Sequence, residues 1–269
     1  MTGPAASALL AAVERSPQAA AAHDRAGWVG LFTPDGRVED PVGSRPHVGP
    51  AQIGRFYDTF IGPRDIAFHR DLDVVRGSAV IRDLDLEVAM GPAVTMTIPA
   101  LLRYDLREVD GEWKVAMLRA YWELPAMMWE FVRNGVPAVP AGIALSRGLV
   151  RNQRLRGIAG FAAGFRRVGS GQKALVDTFV HAVGRGDQFA ALQSLSPGAT
   201  ITFGDGEAAE STDLAELIER CPSARPSKLI AAGSTVAASV TSAQRRGVLF
   251  ADVARRGKGI HRIRYFPQW

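Results

Sequence analysis

Cysteine is almost absent from this 269-residue chain. Cys221 is the sole thiol, so no internal disulfide can form and a cysteine-based zinc site is excluded. Long apolar runs are missing too. The Ala-rich start "MTGPAASALLAAVERS" has no basic leader and meets a charge at Glu14, which argues against a signal peptide. Nowhere is there the stretch of about 20 apolar residues that a bilayer span requires. A soluble, cytoplasmic protein is the expectation. Histidine is sparse: His23, His47, His69, His181 and His261 are scattered, none at ligand spacing from a cysteine or carboxylate, so neither a metal nor another cofactor is expected. The "GSG" at 169–171 lacks the lysine and strand context of a phosphate loop and reads as a linker.

Positive charge is present but concentrated. The net charge is +5, and residues 124–169 hold Arg133, Arg147, Arg151, Arg154, Arg156, Arg166 and Arg167 against one acid, Glu130. The rest of the chain is close to neutral, so a general nucleic-acid footprint is not expected. The same segment carries Met127, Met128, Trp129, Phe131, Phe161 and Phe165. Two readings stay open for it: helices packing their apolar faces on the flanking domains with arginines in water, or a basic amphipathic helix lying on an anionic membrane.

The length favours two domains. The N-terminal stretch is Ala-rich and helical, with Ser16-Pro17 reading as a helix restart: a cap residue, then proline in the first turn. "GPAQIGRFYDTFIGP" opens and closes on Gly-Pro and puts Ile53, Phe56, Tyr57 and Phe60 on one helical face. Strands follow. "VIRDLDLEV" alternates Leu84, Leu86 and Val88 against Asp83, Asp85 and Glu87, and "VTMTIPALLRYD" alternates Met96, Ile98, Ala100 and Leu102 against Thr95, Thr97, Pro99, Leu101 and Arg103. A "DGEW" turn leads to "KVAMLRAYWE", where Leu118, Ala120 and Trp122 share a face. Helices followed by an antiparallel meander predict an α+β domain whose helices pack on one concave sheet face. Asp83, Asp85 and Glu87 are read with Arg103 and Arg119 as outward cross-strand ion pairs.

The second half repeats the first. "RGDQFAALQSLSPGATITFGDG" lies on "AHDRAGWVGLFTPDGRVEDPVG" without a gap, matching Asp187 to Asp24, Pro197 to Pro34, Ile201 to Val38 and Gly206 to Gly43. "STDLAELIER" supplies a helix, and "KLIAAGSTVAASV", "RRGVLFADVARRG" and "GIHRIRYF" supply strands. In this register Asp40 corresponds to Phe203, so the second copy lacks the carboxylate.

Asp40 itself stands in "GRVEDPVGSRPHVGP", a strand running into a turn. A residue before proline is pushed into extended backbone, which holds Asp40 along the strand direction. It is either a solvated turn carboxylate or one aimed into a cavity lined by Ile98, Ala100, Leu102, Leu118 and Trp122. In such a cavity desolvation raises its pKa and improves it as a base.

"LFTPDGRVEDPVG", "GPAQIGRFYDTF" and "LRAYWE", in that order, resemble the ketosteroid isomerase branch of the nuclear-transport-factor-2-like (NTF2-like, SnoaL-like) superfamily over residues 18–124. The second half is similar to the superfamily at large. The resemblance implies two tandem NTF2-like domains, each a curved antiparallel sheet wrapped by helices, at residues 1–123 and 170–269, with 124–169 as a basic helical linker and the second copy degenerate. It implies either a monomer with an internal pseudo-dimer or a homodimer. It also implies chemistry: a carboxylate base moves a proton between carbons flanking a ketone, while a tyrosine and a neutral aspartic acid hold the oxyanion. On this chain the base falls on Asp40, but the donors fall on Ser16 and Ala100. Losing one such donor costs about 3–4 kcal/mol of transition-state stabilisation, on the order of 10²–10³ in rate. Tyr57 is the candidate substitute, with Trp122 a further N–H. Phe56, Ile98, Ala100, Leu102, Leu118, Ala120 and Trp122 are the expected ligand wall. The function implied is isomerase-like chemistry on a ketosteroid or similar apolar carbonyl compound, or else non-catalytic binding of an apolar small molecule.

Overall fold

The computed structural model describes residues 4–89, 94–123, 125, 127, 168–254 and 259–268. They form two compact units, each with one six-stranded sheet and its own helices. The segment 124–167, which carries the seven arginines of the sequence reading, lies almost wholly outside the described residues, and so does its choice between packed and membrane-bound helices.

The first unit begins with α1, Pro4–Ala21, and α2, Arg25–Gly30, whose cap Asp24 accepts the Gly27 N–H. Then come β1, Phe32–Glu39; β2, His47–Val48; α3, Gly49–Phe60; β3, Asp65–Arg76; β4, Ala79–Ala89; β5, Thr95–Val109; and β6, Glu112–Tyr121. The expected restart at Ser16-Pro17 does not occur, because α1 runs through Pro17 unbroken. Leu9, Ala12, Val13, Ser16, Pro17 and Ala20 form one buried stripe at helical spacing, and that burial offsets the single lost hydrogen bond.

The sheet order is β2-β1-β6-β5-β4-β3, and β1 pairs with β6 in parallel. The sheet is therefore mixed, not wholly antiparallel: α3 and four strands intervene before the chain returns beside β1. Asp110 and Gly111, both at positive φ, make the tight turn joining β5 to β6. Pro99 is tolerated within β5 because β6 pairs only from Leu101 onward, which leaves an open edge at residue 99 where no N–H is needed.

Sheet parity puts Val38, Val80, Leu84, Ile98, Ala100, Leu102, Leu118 and Ala120 on the face that meets α1. Arg82 shares that face, 2% exposed, and reaches Glu14 of α1 at 2.9 Å. The opposite face is not the solvated ion-pair surface expected. Asp83 is only 1% exposed, and Arg103 is buried. Arg103 and Arg119 do form ion pairs there, sharing Asp105 at 2.7 Å each, while Glu87 pairs with His69 at 3.3 Å. Two arginines directly opposite repel, and a carboxylate with one oxygen for each offsets that.

The second unit repeats this plan. It holds α4, Ser170–Arg185; α5, Gln188–Gln193; β7, Leu195–Phe203; a 3₁₀ turn, Gly206–Ala208; β8, Glu210–Thr212; α6, Leu214–Arg220; β9, Arg225–Ala232; β10, Thr235–Thr241; β11, Arg246–Val253; and β12, Ile260–Pro267. Its order, β8-β7-β12-β11-β10-β9 with β7 parallel to β12, is that of the first sheet. Asp187 caps α5 as Asp24 caps α2, with nearly the same backbone angles. The gapless repeat read from the sequence thus holds at the level of structure, and both units have the NTF2-like fold. The "GSG" is not a linker: Gly169 caps α4, its N–H bonded to the Gln172 side chain at 3.0 Å.

Because Arg82 is buried and Glu14 is one of its anchors, Glu14→Ala is expected to destabilise the first unit by about 1–3 kcal/mol. The more exposed Arg70–Glu14 pair accounts for little of this. Urea unfolding of wild type and variant measures the difference.

Candidate functional site

The parallel ladder sets Val38 opposite Leu118 and Glu39 opposite Arg119, and there β1 stops. The chain is caught again two residues later, where the Val42 N–H donates to the Ala120 carbonyl at 2.8 Å. Asp40 lies between these two anchors. It begins a bend rather than continuing the strand as expected, and its peptide bond to Pro41 is cis. Gly43, at positive φ, closes the bend by donating its N–H to Glu39 Oε1 at 2.8 Å, and the Ser44 N–H reaches the Pro41 carbonyl at 3.0 Å.

Asp40 Oδ1 accepts the Trp122 indole N–H at 2.5 Å. Asp40 keeps some surface as a residue, but its carboxyl is enclosed, and burial pushes its pKa from 3.8 to about 6. The indole N–H favours the charged form and pulls the other way. The carboxyl is thereby poised close to neutrality. Trp122, expected as a wall or a ligand donor, spends its N–H on the carboxylate.

The remaining candidates fall in two groups. Ile98, Ala100, Leu102, Leu118 and Ala120 are buried on the sheet face that carries Val38. Phe56 and Tyr57 project from α3 against Trp28, with ring centroids 6.1 and 5.6 Å away. Tyr57 is 3% exposed, and its hydroxyl has no hydrogen-bond partner among the described residues. Burial raises its pKa, and the charges acting on it are Asp24, Asp58 and Arg25. Ser16 is buried on α1, and Ala100 offers only a methyl group. His47 packs on Phe56, and burial with Arg55 and Arg45 lowers its pKa to about 4, so its ring is neutral near pH 7. Among the described residues no group of three or more His, Cys, Asp or Glu is placed to hold a metal ion.

Sequence reasoning missed two features. Arg82 has the parity of Leu84 and Leu86 in "VIRDLDLEV", so its inward position was readable. Glu39 was passed over beside Asp40, although it ties the bend and faces Arg119 at 3.9 Å.

The second unit shows what the same frame looks like without the carboxylate. Phe203 and Tyr265 are register partners and pack with ring centroids 6.1 Å apart. A space bounded by Tyr265, Phe179, Leu217 and Cys221 is about 10 Å³, no more than one water. Burial there drives both the Cys221 thiol, to about 11, and the Tyr265 phenol upward.

Several solved structures are similar to about half of the chain. The Δ5-3-ketosteroid isomerase from a Mycobacterium species is 28% identical, covering 44% of this chain and 95% of its own, with a TM-score of 0.40. A Mycobacterium tuberculosis protein solved with estradiol-17β-hemisuccinate is 24% identical, with coverages of 44% and 95% and a TM-score of 0.39. A Mycobacterium tuberculosis LEH-like epoxide hydrolase is 18% identical, with coverages of 51% and 98% and a TM-score of 0.42. Residues 13–115 match the family model described as SnoaL-like domain. That span runs from α1 into β6 and includes Asp40 and Tyr57, so the first unit carries a SnoaL-like domain.

Proposed function

We propose that the first unit binds an apolar carbonyl compound, a ketosteroid or a molecule of similar shape, and that Asp40 shuttles a proton between the carbons flanking its carbonyl. The observation that carries this reading is the enclosed Asp40 carboxyl, with a pKa pushed up to about 6 and one oxygen held by Trp122. A base is most effective when its pKa lies near the working pH. Desolvating a carboxylate is costly, and among the described residues no cationic partner relieves the cost.

The oxyanion needs a donor, and Tyr57 is the group assigned to it. Its buried hydroxyl has no partner among the described residues. A second reading is favoured by Ala100: with a methyl group where the related enzymes carry an acid, the unit binds its ligand and turns it over poorly or not at all.

The deciding assay follows conversion of a β,γ-unsaturated 3-ketosteroid to its conjugated isomer. Wild type is expected to catalyse it, and Asp40→Asn to lose about 10²–10⁴-fold in kcat. No conversion by wild type, or none lost in the variant, overturns the isomerase reading. Ligand-induced thermal stabilisation without conversion selects the binder.

Asp40→Asn has a second consequence, separate from activity. The folded-state pKa lies above the ordinary 3.8, so the folded protein keeps a proton that the unfolded chain has released. Stability is therefore lost as pH rises from about 4 to about 6 and stays lost above, by about 3 kcal/mol. Asp40→Asn should be more stable than wild type by up to that amount at pH 7, and equal to it near pH 4, in denaturant titrations at the two pH values.

Trp122→Phe removes the hydrogen bond that favours the charged carboxylate. The acid limb of the kcat/KM profile is expected to move to higher pH. Tyr57→Phe is expected to lower kcat by about 10²-fold while leaving the unfolding free energy unchanged or slightly raised, since it deletes an unpaired buried hydroxyl.

A further inference from the structure

The bend that presents Asp40 has two sides. Asp40 turns toward Trp122, while Glu39, one residue earlier, turns to the opposite face of the sheet. There it enters a chain of polar contacts. Glu39 Oε1 accepts the Gly43 N–H at 2.8 Å, and Oε2 stands 3.9 Å from Arg119 Nε. Arg119 Nη1 donates to Asp105 Oδ2 at 2.7 Å, and Asp105 Oδ1 accepts from Arg103 at 2.7 Å. Arg119 faces Glu39 across the parallel ladder and faces Arg103 across the antiparallel one. The end of β1 is thus linked through side chains to β6 and, through Arg119, to β5.

The second unit keeps the frame and changes the occupant. Thr202 stands opposite Arg264 as Glu39 stands opposite Arg119. Arg264 binds Asp252 at 2.6 Å, as Arg119 binds Asp105. Thr202 closes its bend differently, its hydroxyl donating to the Gly204 carbonyl at 2.8 Å. The arginine–aspartate pair therefore accompanies the fold in both units. A carboxylate also stands at the second bend, but it is a different one: Asp205 accepts the N–H of the next residue, Gly206, at 2.9 Å and lies 3.4 Å from Arg264, whereas Glu39 spans four residues to Gly43.

We propose that Glu39 is a positioning residue for Asp40: by holding the Gly43 N–H and leaning on Arg119, it closes the bend so that the Asp40 carboxyl stays against the Trp122 indole. Glu39 touches neither the base nor a ligand. Its side chain is 18% exposed, on the far side of the backbone from Trp122. Its function matters on the reading of Asp40 as the working base, but its structural effect can be read without any substrate.

The experiment uses the Trp122 indole N–H resonance, assigned by its loss in Trp122→Phe, as a reporter of Asp40 across a pH titration. In wild type the resonance titrates with a midpoint near the Asp40 pKa of about 6. Glu39→Ala is expected to shift that midpoint toward the ordinary carboxylate range, as water reaches the loosened bend, and to speed exchange of the Gly43 amide at least tenfold. Glu39→Gln keeps an oxygen for the Gly43 N–H and is expected to restore both. Should Glu39→Ala not fold, Glu39→Ser, too short to span the bend, carries the same expectation. A midpoint and exchange rate unchanged in the folded Ala or Ser variant overturn the proposal, as does a Gln variant that behaves like Ala. In turnover, Glu39→Ala should lower kcat about 10–100-fold with KM little altered. If wild type does not turn over substrate but the indole titration moves as expected, the isomerase reading fails and the positioning role stands.

Discussion

The parallel pairing of β1 with β6 is the constraint on which the site depends. An antiparallel partner could have been supplied by a short hairpin, but a parallel one needs a longer connection, and here the chain travels through α3 and four strands before it returns. That return brings residues about 80 positions apart into register: Val38 with Leu118, Glu39 with Arg119, and just beyond them Asp40 with Trp122. The ladder ends just before Asp40, so Asp40 is held by a strand on one side and, two residues on, by the Val42 hydrogen bond to Ala120 on the other. A carboxylate on a free loop would hydrate and return to the ordinary pKa range; one anchored at both ends does not.

Both faces of this sheet are occupied, and by different chemistry. The helix side is largely apolar, with Asp40 and with the buried Arg82 reaching the half-exposed Glu14. The other side carries Asp105 between Arg103 and Arg119. The two carboxylates of "VEDP" divide between these faces because adjacent residues at a strand end alternate. One is desolvated and left with a raised pKa, and its neighbour is kept among cations and a backbone N–H. The cost of the first is tolerated because packing elsewhere in the unit over-determines the bend.

The two units are two versions of one frame. They share strand order, parallel closure, an aspartate-capped short helix and an arginine–aspartate pair. They differ in what stands at the positions of Asp40 and Ala120. In the second unit these are Phe203 and Tyr265, two aromatic rings packed on each other. A ring in place of the aspartate removes the desolvated charge and substitutes close packing.

Much of this was readable along the chain. The period-2 alternation of Ile98, Ala100 and Leu102, the Gly-Pro brackets around α3, the gapless match of Asp24 to Asp187 and the marker "VEDPVG" are local patterns, and local patterns report the fold because strand and helix periods are short. Pro17 misled because its local preference was overridden by the buried stripe of α1, and Asp83 misled because parity says which face a residue takes but not whether that face is covered. The amino-acid order by itself determined two α+β repeats, one aspartate at the end of the first strand and the absence of that carboxylate in the second copy. Only the tertiary structure decided that Trp122 holds Asp40, that Glu39 faces Arg119 from the other side, and that the buried Tyr57 hydroxyl has no partner among the described residues. The first two are contacts between residues about 80 positions apart, set by parallel register, and the third is set by burial; neither register nor burial leaves a trace in the spacing of the chain.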